Sequence, residues 1–270
     1  MPIHVGATVR RLSQSEFGEL SFQVMAEVFQ IHAELGRFFE EKIYKEALAS
    51  RFPGVQLEVP VHVTHKDFRK RYALDVLVAD GGLFEFKAVD FLSPRHRAQV
   101  MNYLLLSGLA HGKLVNMRTP DVEHEFVNAL TLPDIRRDFA VDDEQWLEPC
   151  SQAQFMRQTL TDLLRDWGTG LELPLYEEAL THFLGGEERL IQRVDVSLDS
   201  RQLGWQPFRL VAPGISFKLT AFDGPLEPFE EHAHLLLQHT SLSTILWANI
   251  GLRKVTFRTL VKDGKAKNRG

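Results

Sequence analysis

Residues 72–89 read YALDVLVADGGLFEFKAV, and how this stretch pairs decides the fold. Two apolar runs rich in β-branched and aromatic residues, 72–79 and 83–89, flank Asp80-Gly81-Gly82, the pattern of a β-hairpin. Side chains alternate faces along a strand, so the loop length fixes which residues meet. A two-residue loop would send Asp75 and Glu85 to opposite faces. A three-residue loop over 80–82, with glycine taking the left-handed position, pairs residue 79 with 83 and Asp75 with Lys87. Asp75, Leu77, Glu85 and Lys87 then share one face, and Val76, Val78, Phe84 and Phe86 share the other. On that register Asp75 lies diagonal to Glu85, with β-carbons roughly 5 to 8 Å apart. Carboxylates are expensive to bury. Either a hard cation such as Mg2+ or Mn2+ bridges the two, or Asp75 and Lys87 form an ordinary cross-strand ion pair. If a cation is the answer, neutralising either carboxylate should stabilise the metal-free protein.

Gln99-Val-Met-Asn-Tyr103 follows, and its glutamine and tyrosine stand four residues apart, on one helix face. A metal held by carboxylates, a lysine beside the metal-bound water and a polar helix face for phosphate together suit phosphodiester chemistry. Tyr103 also begins a Tyr-Leu-Leu-Leu run, which suits a core position equally well.

Composition narrows the classes. A chain of 270 residues can build one large domain or two ordinary ones. The single cysteine, Cys150, excludes an internal disulfide and fits a reducing cytoplasm. No apolar run reaches membrane-spanning length and no signal-peptide core opens the chain, so a cytoplasmic location without a membrane partner is expected. The net charge of −5 argues against a chain that coats nucleic acid throughout, although local basic grooves remain. His65-Lys66, Arg69-Lys70-Arg71 and Arg95-His96-Arg97 flank the hairpin, and 253–269 is basic.

Residues 13–50 read as one largely helical stretch, capped near Ser13 or Ser15 and ended by Phe52-Pro53-Gly54. Residues 55–64 alternate as a strand, with Pro60 suggesting an edge or a bulge. After the hairpin, a helix runs from about Pro94 to Ser107, proline in its first turn, and 112–118 is a short strand. The order is α/β: a mixed sheet covered by helices on both faces.

Helix, three strands, helix and strand, carrying Asp…Glu-x-Lys and then Gln-x-x-x-Tyr, resembles the PD-(D/E)XK nuclease superfamily with its restriction-endonuclease-like mixed sheet. The Gln-x-x-x-Tyr element is similar to that of the RecB-type branch. Residues 36–48, GRFFEEKIYKEAL, resemble the bacterial group named for a Gly-x-x-Glu-x-x-Tyr motif. Gly36, Glu41, Tyr44, Ala47 and Leu48 match, while Phe38 replaces the second glycine. The likeness spans roughly residues 25–132. It implies a metal-dependent nuclease in which Asp75 and Glu85 ligate Mg2+ or Mn2+, with the Phe86 carbonyl as third protein ligand. Lys87 would orient or help deprotonate the attacking water, and Glu41 would reach toward the metal from the long helix, directly or through water. Gln99 and Tyr103 would position the phosphate, and Arg69, Lys70, Arg71 and Arg95 would meet nucleic acid, DNA in preference to RNA. Other readings stay open: Glu41 suits an exposed helix surface, and Tyr44 suits packing more than chemistry. His96 and His111 read as surface or structural. A non-catalytic nucleic-acid-binding or protein-interaction module on the same fold is the competing function.

The second half echoes the first. LYEEAL at 175–180 follows IYKEAL at 43–48, and ISFKLTAF at 215–222 and the stretch 230–251 echo the hairpin strand and the helix after it. The offsets are 132 at Tyr44 and Tyr176, 135 at Ala98 and Ala233, and 133 at Asn116 and Asn249. The expected organisation is a nuclease-like domain over 1–132, a connection over 133–150, and a degenerate duplicate over 151–270 with a basic tail. Phe208, Lys218 and Thr220 then stand near Asp75, Glu85 and Lys87, and His234 stands for Gln99. Such a chain would be a monomer with pseudo-dimeric halves. Two α/β halves sharing only their periodicity is the alternative.

Overall fold

In the computed structural model, which describes residues 2–129 and 133–262, the chain divides into two units, Met1–Ile135 and Arg136–Gly270. The first unit contains β1 (Ile3–Val5), α1 (Gln14–Leu35), α2 (Glu41–Arg51), β2 (Val55–His65), β3 (Phe68–Val78), β4 (Gly82–Lys87), α3 (Pro94–Ser107), β5 (His111–Asn116) and β6 (Glu123–Asn128). Its six strands lie in chain order across one sheet. Only β4 and β5 are parallel, and α3 makes the crossover between them. The edge strands β1 and β6 add to the four-stranded core expected from sequence.

Local chemistry sets the helix ends. Ser13 and Glu16 form a reciprocal cap at the start of α1, with Ser13 N–H donating to Glu16 at 2.7 Å. The expected long helix is in fact two. Gly36, at φ 72°, ends α1, and its N–H bonds His32 O. The Tyr44 hydroxyl donates to Gly36 O at 2.8 Å and accepts from Phe39 N–H, which pins the break. Glu41 therefore stands in the first turn of α2 rather than on a continuous helix. Phe17, Val24 and Val28 of α1, with Tyr44 and Leu48 of α2, bury against Val76, Val78, Phe84 and Phe86 of the sheet. Each such side chain contributes about 1.5–3 kcal/mol on leaving water.

The hairpin forms, one step away from the expected register. Val76 pairs with Phe84 and Val78 with Gly82, leaving 79–81 as the loop. The left-handed positions fall to Ala79 and Asp80, at φ 49° and 57°. Gly81 is needed for space instead: a β-carbon there would meet Leu12 at 2.5 Å and Arg10 O at 2.8 Å. Strict alternation also fails along β3. Tyr72 approaches Tyr103 of α3 with ring centroids 6.3 Å apart, whereas Val76 and Val78 join the α1–α2 core. The phase changes beside Asp75, opposite Glu58, whose φ is 53°.

The second unit contains α4 (Pro133–Arg137, which straddles the division), β7 (Ala140–Gln145), α5 (Ser151–Trp167), α6 (Leu173–Phe183), α7 (Glu187–Leu190), β8 (Ile191–Leu198), β9 (Arg201–Ala212), β10 (Ile215–Thr220), α8 (Glu227–Gln238), β11 (Thr244–Ile250) and β12 (Lys254–Val261). Its sheet runs β7-β12-β11-β10-β9-β8. Parallel pairing joins β10 to β11, across α8, and β12 to β7. The 133–150 segment, expected as a connection, holds α4 and β7, so β7 is part of this sheet. Each unit thus runs through helices, three antiparallel strands, a helix, a parallel strand and an antiparallel strand.

Three side chains make the same bonds in both units. Asn116 accepts from Val89 N–H and donates to Val89 O; Asn249 does both with Phe222. Tyr44 donates to Gly36 O, and Tyr176 to Gly168 O. Ser107 and Thr240 each donate to the carbonyl of a residue in the preceding helical turn and accept from the N–H two residues on. Burial of Val100 and Leu104 in α3 is matched by Ala233 and Leu237 in α8, a step of 133. That spacing places His232, rather than His234, at the position of Gln99, and Glu231 rather than Ala233 at that of Ala98. Of the basic carboxyl-terminal stretch, Lys254 pairs with Asp142 at 2.7 Å and Arg258 with Glu230; residues 263–270 lie outside the described residues.

Candidate active site

The β3–β4 ladder stops at Val76–Phe84. Beyond it the Asp75 side chain replaces the missing strand partner, its Oδ2 accepting the Phe86 N–H at 3.1 Å. Next to it, Glu85 is 1% exposed. Lys87 Nζ donates to Glu85 Oε1 at 2.7 Å, whereas Glu85 Oε2 has no hydrogen-bond partner. Burial, and then the negative charge of Asp75, push the Glu85 carboxyl up to about 8 against the pull of Lys87. Burial opposes the charged form of Lys87, but Glu85, Glu41 and Asp75 outweigh it and raise its pKa.

Asp75 is not paired with Lys87, as the cross-strand reading required. Its cation is Lys45 of α2, whose Nζ lies 3.0 Å from Asp75 Oδ1 and also bonds Glu58. Lys45 is 7% exposed, and the two carboxylates overcome the cost of its burial and raise its pKa. Lys45 and Glu58 were not among the expected site residues. Lys45 had a signal, since it stands four residues after Glu41 on the same helix face. Glu58 had none, because nothing in the sequence announces its left-handed backbone opposite Asp75.

Glu41 closes the site from the amino end of α2, its Oε1 accepting the Ala88 N–H at 3.2 Å just past β4. On α3, Gln99 Nε2 donates to the Tyr103 hydroxyl at 3.0 Å, as the four-residue spacing implied. Burial raises the Tyr103 pKa, and the fields of Glu85 and Asp75 add to it. Arg71 and Arg95 are exposed, Arg69 is exposed and folded back on Phe68 O and Lys66 O, and Lys70 lies 5.9 Å from the Tyr72 ring. His96 accepts Ser93 N–H at the α3 cap, and His111 bonds Asn128, so both have structural partners.

The donors suit a divalent cation with few protein ligands. Among the described residues no three His, Cys, Asp or Glu side chains form a ready cage. Mg2+ commonly takes one or two carboxylates and completes its shell with water and substrate phosphate. An orphaned, buried Glu85 oxygen beside Asp75 is the arrangement that such a charge relieves.

Residues 18–128 match the family model of the PD-(D/E)XK nuclease superfamily. The mixed sheet flanked by helices in that segment agrees with the superfamily's restriction-endonuclease-like fold. The match is to the superfamily as a whole and does not single out the Gly-x-x-Glu-x-x-Tyr or RecB-type groups. Proteins of this superfamily generally use divalent metal ions and act on nucleic acid. No curated protein and no solved structure matches the chain.

Proposed function

We propose that the chain is a cytoplasmic, metal-dependent nuclease that hydrolyses phosphodiester bonds, in DNA before RNA, with Mg2+ or Mn2+ held by Asp75, Glu85 and the Phe86 carbonyl. One observation carries this reading: Glu85 is buried, half unsatisfied and pushed up to about 8 beside a second carboxylate. Natural chains keep such a penalty where function needs it. When bound, the cation would polarise the phosphate and lower the pKa of a water. Lys87, kept protonated by Glu85, Glu41 and Asp75, acts as a cation toward developing phosphate charge rather than as a base. Glu41 ties the backbone after β4 to α2 and adds negative charge at the metal position. The Tyr103 hydroxyl already accepts from Gln99, so its own proton remains free to donate to a phosphate oxygen. Arg69, Lys70, Arg71 and Arg95 would meet the backbone phosphates.

We read the second unit as a degenerate duplicate, making the chain a monomer with pseudo-dimeric halves. The bonds common to Asn116 and Asn249, and to Tyr44 and Tyr176, support this.

The competing, non-catalytic reading also has an observation in its favour. Lys45 and Lys87 each already pair with one of the two carboxylates, Asp75 and Glu85, without a metal. Incubation with linear and circular DNA and RNA, with Mg2+ or Mn2+, beside an Asp75→Ala control, separates the two. Metal-dependent cleavage lost in the variant supports the nuclease. Nucleic-acid binding without cleavage supports the module.

A further inference from the structure

Lys113 of β5 is buried on the α1 side of the first sheet, at 4% exposed. Its Nζ donates to Ser21 Oγ at 3.0 Å and lies 4.0 Å from the centroid of the Phe126 ring. Among the described residues no carboxylate pairs with it. Lys45 makes the contrast. It is nearly as buried, yet two carboxylates hold its charge and raise its pKa, whereas burial alone lowers that of Lys113.

Above Lys113 opens a cavity of about 380 Å³, walled by Phe22, Met25, Phe29, His124 and Phe126. Its aromatic walls face solvent: Phe22 is 80% exposed, Phe29 46% and Phe126 47%. An apolar pocket with one charged group at its base is the usual build of a small-ligand site. A buried ammonium with one hydroxyl partner still has donors to offer.

We propose that this cavity binds a small monoanion, a carboxylate with an aromatic or branched apolar body, its head group on Lys113 and its body among Phe22, Phe29 and Phe126. Charge complementarity selects this occupant. An anion restores the partner Lys113 lacks, and the apolar body covers rings otherwise left in water. A nucleic-acid strand fits worse, because its backbone phosphates cannot be brought to a buried amine at the base of a cavity walled by aromatic side chains.

The test is calorimetric titration of the full chain with benzoate, phenylacetate and isovalerate, each beside its neutral amide. The acids should bind at least about tenfold more tightly than the amides. Lys113→Met should erase that preference and, with the unpaired cation gone, melt higher without ligand. Phe22→Ser, at an exposed position that cannot threaten folding, should weaken the acids severalfold. An Asp75→Ala protein should bind them unchanged, so the outcome is independent of cleavage. Failure of all three acids to bind, equal affinity for acid and amide, or a preference that survives in Lys113→Met would overturn the proposal.

Discussion

The two units share a frame and differ in what the frame holds. In both, a buried asparagine on the parallel strand clamps the backbone after the preceding central strand, and a tyrosine on the second long helix holds the glycine that ends the first. Where the first unit has Asp75, Glu85, Gln99 and Tyr103, the second has Phe208, Lys218, His232 and Leu236, which with Phe217 and Phe229 line an apolar cavity of about 300 Å³. Thr220, in the place of Lys87, bonds inward to Asn249 and Trp247. Hydrogen bonds between backbone and buried side chains set the architecture, while the polar cleft can be exchanged for an apolar one without disturbing them.

The largest test of this contrast is catalytic. Asp75→Ala should lower metal-dependent cleavage by about a thousandfold or more, while Phe208→Asp in the second unit should leave single-turnover rates unchanged. A large effect of Phe208→Asp would mean that both clefts act in the reaction.

Next comes the pH dependence that Glu85 confers on the metal-free protein. Its folded pKa of about 8 lies above an unfolded value near 4.5. The folded state therefore keeps a proton that the unfolded state releases, and stability falls as pH rises through that window. The loss should total roughly 2 to 4 kcal/mol, read from urea melts at pH 5 and pH 8. Glu85→Gln should flatten the profile, and Mn2+ should do so in the wild type. Repulsion alone would make Asp75→Asn stabilising too. The structure reverses that expectation, because Asp75→Asn weakens the partner of buried Lys45 and should destabilise.

A smaller effect tests the common frame. Asn116→Ala and Asn249→Ala each leave buried backbone groups unpaired and should cost about 2 to 3 kcal/mol. Similar losses in thermal melts would sharpen the likeness; a silent change in one unit would break it. Tyr44→Phe and Tyr176→Phe should each cost about 1 kcal/mol.

Much of this was legible from local pattern. Pro94 and the alternation of 72–89 locate α3 and the hairpin, and the spacing of Gln99 and Tyr103 foretells their bond. What escaped depends on contacts between distant segments. The loop register turned on the space that Leu12 and Arg10 leave for Gly81. The cation of Asp75 came from another helix, and the phase change of β3 from a backbone torsion at Glu58. β6, with the mixed sequence EHEFVN, shows no alternation strong enough to mark a strand.

Those outer strands bear on colloidal behaviour. Each sheet is open, and an unpaired strand edge invites pairing with another molecule. β6 carries Glu123 and Glu125, and β7 carries Asp142, Asp143 and Glu144. Two molecules meeting along β6 or β7 would bring acidic strands together, which disfavours edge-to-edge pairing at these two borders, whereas the other borders, β1 and β8, carry no acidic run.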